Sequence, residues 1–100
     1  MKFTVAYSPR AAKALLDLEE FIAERASAEI AAGYVAGIVA QCDALETFPN
    51  RHSPRPDIGS GFRSFAYRGR ATILYEVFGT QVVIHGVFYG GQNWERSFRR

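Results

Sequence analysis

The order of hydrophobic periodicities constrains this chain most. A short segment of alternating apolar and polar residues, 2–7, is followed by two segments with helical spacing and then by three more strand-like segments. The last three are 62–67, 71–78 and 81–89, each rich in β-branched or aromatic residues and separated by glycine-containing turns. This order predicts the element sequence β-α-α-β-β-β.

Local signals fix the ends of the two predicted helices. Ser8-Pro9 predicts the start of the first helix, because serine caps exposed amides and proline suits the first helical position. Ser27 is the predicted cap of the second helix, which should end near Thr47 because Pro49 restricts Phe48 to extended backbone.

Two helices are too few to cover both faces of a sheet. We therefore expect one α+β domain over residues 1–100, with the helical hairpin packed on one face of a twisted, mainly antiparallel four-stranded sheet. The first strand should join at an edge or beside the last strand. The opposite face should stay half open and carry arginine and tyrosine side chains.

The charge of the chain is small overall but unevenly distributed. The formal net charge is +2, yet residues 1–50 hold four basic and seven acidic residues, whereas residues 51–100 hold eight arginines and three acidic residues. A basic half is typical of a surface that binds nucleic acid or an acidic protein, and also of a merely solvated arginine-rich face.

The composition argues against several other classes of protein. Cys42 is the single cysteine, which excludes a disulfide framework or a zinc site within one chain, and we expect no cofactor and no metal. No apolar run approaches the roughly 20 residues of a membrane helix, and no signal-peptide pattern precedes the first strand. We expect a cytoplasmic protein without membrane contact.

Three residue types outside the core pattern need an interpretation. His52 lies in the proline-rich segment 49–61 and is expected to be solvated, whereas His85 is mid-strand, in phase with Val83 and Val87, and is expected to be a hydrogen-bonded core or edge residue. Gly90-Gly91 permits a sharp turn after the last strand, so that Trp94 either folds back or projects as an anchor.

Four segments in this order resemble one family. They are "YSPRAAKALLDLEEFIAE", "ALETFPNRHSPRPDI", "GFRSFAYRGRATILYEV" and "VVIHGVFYGGQNWE". Together, from Tyr7 to about Trp94, they resemble the RelE/ParE toxin superfamily of type II toxin–antitoxin systems, and within it the ParE-like plasmid stabilisation proteins. The resemblance implies a compact toxin, neutralised by a small ParD-like antitoxin whose C-terminal segment binds as a helix and sometimes as an added strand.

The superfamily holds two activities. The resemblance implies that ParE-like members inhibit DNA gyrase by protein contact, whereas RelE-like members cleave messenger RNA on the ribosome. A RelE-type site typically has lysines and arginines on central strands and a tyrosine or histidine near the C-terminus, and this chain has no lysine after Lys13. If it were a ribonuclease, the candidates would be Arg63, Arg70 and Tyr89, but no matching acid and base pair is evident.

The resemblance therefore favours a gyrase-directed toxin over an enzyme, with two alternatives. One is the metal-independent RelE-like ribonuclease; the other is a small RNA-binding module that would stack bases on Phe65, Tyr67 or Tyr75, although direct nucleic-acid binding is not favoured. The predicted target contacts are Arg63, Arg68, Arg70, Trp94, Arg96 and Phe98. The predicted antitoxin contacts are Leu15, Leu18, Ile22, Tyr67 and Tyr75.

Overall fold

The computed structural model describes residues 2–90 and 94–97, without the side chains of Arg96 and Ser97. Its order of elements confirms the predicted one, with an additional short strand. The helices and strands of the described part are β1 (Thr4–Tyr7), α1 (Pro9–Arg25), α2 (Ala28–Asp43), β2 (Ser53–Pro54), β3 (Phe62–Tyr67), β4 (Ala71–Phe78) and β5 (Gln81–Tyr89).

The five strands form one mixed sheet in the order β1-β5-β4-β3-β2. β1 lies at one edge beside β5, as expected, and pairs with it in parallel, whereas the other neighbours are antiparallel. The prediction of four strands is wrong by one, because Ser53–Pro54 of the proline-rich segment pairs with Arg63 and Ser64. This strand is short and lies at the edge, where a proline without an N–H group is tolerated.

Both predicted helix caps are present. The Ser8 hydroxyl accepts a hydrogen bond from the Ala11 amide at 3.0 Å, and the Ser27 hydroxyl accepts one from the Ile30 amide at 3.1 Å. α2 continues after Asp43 as a 3₁₀ turn, Ala44–Glu46, which ends one residue before the predicted helix end.

The main core lies between the helical hairpin and one face of the sheet. Its buried members come from both helices, the turn after α2 and strands β4 and β5: Ala11, Leu15, Leu18, Ile38, Cys42, Leu45, Ala71, Ile73, Tyr75, Val82, Ile84 and Val87.

A second, smaller core covers the centre of the opposite sheet face. It consists of Ile58, Leu74, Phe88 and Trp94, with Phe62 packed against them. Leu74 is fully buried there. The expectation that this face stays open is therefore wrong at its centre, because the chain covers it with its own loop and C-terminal turn.

A β-bulge changes the side-chain pattern of β5. The pairing between β4 and β5 shifts at Leu74/Tyr75, which leaves His85 as the extra residue. Because a bulge reverses the alternation, Ile84 and Val87 both lie in the main core. His85 instead hydrogen-bonds Glu76 at 2.9 Å and contacts Phe62, so its predicted phase with Val87 is wrong.

Although no uninterrupted apolar run is that long, one helical stretch of the described chain, Ala28–Glu46, is long and apolar enough to cross a membrane when its few polar residues are included. In this fold, its residues Ile38, Cys42 and Leu45 are fully buried in the main core. Between Glu29 and Asp43 the helix carries no charged residue.

We predict that Gly37→Ala destabilises the fold. An added Cβ atom would overlap the hydroxyl of Tyr67, whose ring packs edge-on against Tyr34 with centroids 5.0 Å apart. We expect the free energy of unfolding to fall by about 1–3 kcal/mol in urea titrations.

Gly33→Ala is the matched control, because a Cβ atom there meets nothing within 4 Å and alanine favours the helix interior. The control should be neutral or stabilising. Equal losses of stability for the two variants would contradict the packing of Tyr67 on Gly37.

Candidate partner and target surfaces

A tight turn between β3 and β4 presents two arginines to solvent. Arg68 and Gly69 both adopt left-handed backbone, with φ of 52° and 70°. This conformation suits glycine and is uncommon for arginine, and it closes a turn in which the Arg70 amide donates to the Tyr67 carbonyl at 3.1 Å. The Arg68 guanidinium lies 5.4 Å from the centre of the Tyr67 ring, and both arginines are exposed.

An aromatic cluster supports this end of the sheet. The ring of Tyr34 lies edge-on to those of Tyr67 and Tyr89, with centroids 5.0 and 6.1 Å away, and Phe21 contacts Tyr89 at 5.7 Å. The Tyr34 hydroxyl donates to the Tyr67 carbonyl at 3.4 Å. Burial raises the pKa of Tyr34, so this phenol stays neutral at physiological pH.

A groove of about 360 Å³ runs between α1 and β5. It exists because β1 pairs with β5 only as far as Ile84, where the chain turns away into α1. The Ser8 amide and hydroxyl donate to the carbonyls of Ile84 and His85, which holds the start of α1 against β5. The groove is lined by Ala14, Asp17, Leu18, Phe21, Val87, Phe88 and Tyr89.

The edge of β5 also faces this groove with backbone groups. The Gly90 amide donates to the Arg70 carbonyl across to β4, at 3.0 Å. Since backbone groups alternate in direction along a strand, those of Val87 and Tyr89 point away from β4 and toward the groove. An extended segment of another chain could therefore pair with β5 beyond the point where β1 ends.

Arg63 occupies a different place from the arginines of the turn. It lies on β3 opposite Tyr75, and its Nη1 donates to the carbonyls of Asn50 and His52 at 3.2 and 2.5 Å. The Tyr75 hydroxyl donates to the Pro49 carbonyl at 2.6 Å. These bonds fasten the proline-rich segment to the sheet.

The backbone places the predicted ribonuclease residues at separate positions along the sheet. Arg63 lies four residues before Tyr67, which is about 13 Å along β3, and Arg70 lies beyond Tyr67, across the turn. Tyr89 packs against Phe21 and Tyr34 in the aromatic cluster.

The predicted base-stacking set is largely occupied within the fold. Tyr75 is fully buried, and Phe65 lies under the imidazole of His52 with centroids 4.2 Å apart. The expectation of a solvated His52 is wrong, because its Nε2 is buried and has no hydrogen-bond partner in the described part of the chain. Burial, reinforced by the charges of Arg51 and Arg63, lowers the pKa of His52.

The predicted antitoxin residues divide into two groups. Leu15, Leu18 and Tyr75 are buried in the main core, where they stabilise the fold. Leu18 also lines the groove between α1 and β5, and the contact of all three with an antitoxin stays a prediction. Ile22 and Tyr67 are half-buried beside that core, and their contact with an antitoxin stays a prediction.

The C-terminal tryptophan folds back rather than projecting. Gly90 takes a φ of 78°, and Trp94 stacks on Phe88 with centroids 4.7 Å apart and an interplanar angle of 3°. Trp94 is only 8% exposed, so it offers little surface to a target. The Arg96 side chain and Phe98 lie outside the described residues. The sequence analysis did not predict the contact of Trp94 with Arg55, because the sequence shows only an arginine in a turn-rich loop.

Comparison with known proteins identifies the class. Three solved structures share the fold. A chromosomal ParDE system of P. aeruginosa matches with a TM-score of 0.77 and 21% sequence identity, covering 90% of this chain and 98% of that chain. The RelBE2 toxin–antitoxin complex of Mycobacterium tuberculosis matches with a TM-score of 0.63 and 25% identity, covering 92% and 95%, and a free RelE mutant of E. coli with a TM-score of 0.71 and 13% identity, covering 99% and 95%. The molecule therefore has the α+β architecture of the RelE/ParE toxins.

The sequence identifies the group within that class. A profile of the "ParE toxin of type II toxin-antitoxin system, parDE" matches residues 5–94. The chain therefore belongs to the ParE toxin family. No curated protein matches it significantly.

We predict that His52 makes the fold sensitive to acid. Because its pKa is lower in the folded chain, the unfolded chain binds the extra proton first, and stability should fall as the pH drops below about 6.5, the ordinary histidine value. Urea titrations between pH 7 and pH 5 measure this loss.

His52→Phe should keep the stacking on Phe65 and reduce the pH dependence of stability. In His85→Gln, the loss of stability that comes from protonation of His52 should remain. An unchanged pH dependence in His52→Phe would show that the histidine is not held in its neutral form by the fold.

Proposed function

We propose that this ParE-family chain is a cytoplasmic toxin that inhibits DNA gyrase by protein contact and is neutralised by a small acidic antitoxin. The observation that carries the choice of target is the separation of the candidate catalytic groups. Arg63 is engaged by two backbone carbonyls and lies about 13 Å along β3 from Tyr67, and Arg70 lies beyond Tyr67, across the turn.

Cleavage of RNA without a metal makes demands that favour the gyrase proposal. It needs a base for the 2′-hydroxyl, an acid for the leaving oxygen and cations for the phosphate, all converging on one bond. His52 is packed on Phe65, and the only other histidine, His85, lies on the sheet face opposite the helices with Glu76. Neither lies on the arginine turn.

The arginine turn is the part of the target surface that the fold presents best. Arg68 and Arg70 project from a rigid turn backed by the aromatic cluster. The planar guanidinium group forms bidentate hydrogen bonds with carboxylates and phosphates, and arginine and tyrosine are enriched among the hot-spot residues of protein interfaces. The C-terminal segment, with Arg96 and Phe98, is proposed to contribute the remaining contacts.

We predict that Arg70→Glu weakens inhibition of gyrase supercoiling by about 10-fold or more, because it replaces a central attractive charge by a repulsive one. Lys2→Glu is the charge-matched control, since residue 2 lies at the other end of the sheet, next to the pairing of Thr4 with Gln81.

The same preparations should be assayed on ribosome-bound messenger RNA. We expect intact RNA and gyrase inhibition that survives Tyr89→Phe. Prompt RNA cleavage that is abolished by Arg70→Ala would overturn the gyrase proposal in favour of the ribonuclease.

For the antitoxin, we propose the groove between α1 and β5 as the docking site of an extended segment. Such a segment would pair with the outward backbone groups of Val87 and Tyr89 and place apolar side chains on Phe21. Arg25 lies 3.8 Å over the Phe21 ring, and the backbone carbonyl of Arg70 accepts a hydrogen bond from the Gly90 amide, which places Arg70 at the same end of β5; acidic residues in the partner would therefore be favoured.

We predict that Phe21→Ala weakens binding of the antitoxin encoded beside the gene by about 10-fold, measured by calorimetry. Leu16→Ala is the matched control, because Leu16 lies on the same helix, is 69% exposed and does not line the groove. Loss of affinity in the Leu16 variant alone would place the antitoxin elsewhere.

A further inference from the structure

Arg55 lies at the junction of three chain segments on the sheet face opposite the helices. Its Nε and Nη2 donate to the two carboxylate oxygens of Asp57 at 3.0 and 2.8 Å. Its Nη1 donates to the Ser64 hydroxyl on β3 at 3.3 Å. A guanidinium group whose three nitrogens all donate hydrogen bonds in this way has a fixed position and orientation.

The same guanidinium group reaches the C-terminal turn. Its carbon lies 5.1 Å from the centre of the Trp94 ring, within the range of a cation–π contact. Its Nη2 is 3.7 Å from the carboxylate of Glu95. Arg55 therefore connects the loop, strand β3 and the 3₁₀ turn Trp94–Ser97.

This engagement distinguishes Arg55 from the arginines of the turn. Its side chain is 21% exposed and its donors already face Asp57, Ser64 and Glu95, so it has little capacity left for a direct contact with another molecule. Its contact with Glu95 is long and partly solvated, and such pairs contribute little to stability. The consequence of the arrangement is geometric: it sets the position of the turn Trp94–Ser97 on the second core.

We propose that Arg55 is a positioning residue for toxicity: by holding Trp94 and Glu95 it fixes the turn Trp94–Ser97, the described start of the C-terminal segment that meets the target. The inference rests on the proposed function, in which this segment contacts gyrase. Arg55 itself does not touch the target.

The test compares Arg55→Gln with Arg51→Gln, an exposed arginine of the same loop, and with a chain ending at Ser97. Trp94 is the single tryptophan, so its fluorescence reports directly whether the indole is buried. For Arg55→Gln we expect red-shifted emission, greater quenching by acrylamide, about 10-fold weaker inhibition of supercoiling and unchanged antitoxin affinity. Arg51→Gln should match the natural chain in all four.

The outcomes separate the two proposals. If truncation after Ser97 abolishes inhibition while Arg55→Gln, with a solvated Trp94, inhibits normally, the positioning role is overturned and the proposed function stands. A Trp94 that stays buried in Arg55→Gln also overturns it. If the natural chain does not inhibit gyrase, the proposed function itself fails.

Glu95→Gln provides a second variant in case Arg55→Gln does not fold. It leaves the two hydrogen bonds from Arg55 to Asp57 intact and removes only the negative charge of Glu95. We expect a smaller change in the same direction in both fluorescence and inhibition. Normal inhibition together with increased quenching would again overturn the positioning role.

Discussion

Strand β4 is buried on both of its faces, and the rest of the molecule follows from that constraint. Ile73 and Tyr75 lie against the helices, and Leu74 lies against the opposite side, all with 0% exposure. Burying each such side chain contributes about 1.5–3 kcal/mol, which is lost wherever a face stays wet. The helical hairpin covers one face, and the loop with Ile58 and the turn with Trp94 cover the other.

The surfaces available to other molecules lie at the margins of this doubly covered strand. At one margin the chain leaves the sheet at Ser8, so that the upper edge of β5 remains beside α1. At another, the turn between β3 and β4 projects Arg68 and Arg70. On the face opposite the helices, Arg55 contacts Trp94 of the second core and so joins the loop before β3 to the C-terminal turn.

Much of the fold could be predicted because it is encoded by local periodicity. Strands 62–67, 71–78 and 81–89 and the caps Ser8 and Ser27 have the predicted positions. The second core was missed, although the continuous run Ile73-Leu74-Tyr75 is the pattern of a strand buried on both faces. The phase of β5 was missed because alternation does not reveal a bulge.

The site was less predictable, since a residue type does not reveal what it binds within the fold. Arg63 looks like Arg68 in the sequence but donates to carbonyls of its own chain. The central claim is that the turn 67–70 and the C-terminal segment face the target. Amide hydrogen exchange of the toxin with and without gyrase tests it most directly. The account predicts new protection at residues 67–70 and 94–97; protection confined to residues 49–54, the segment that Arg63 fastens, would contradict it.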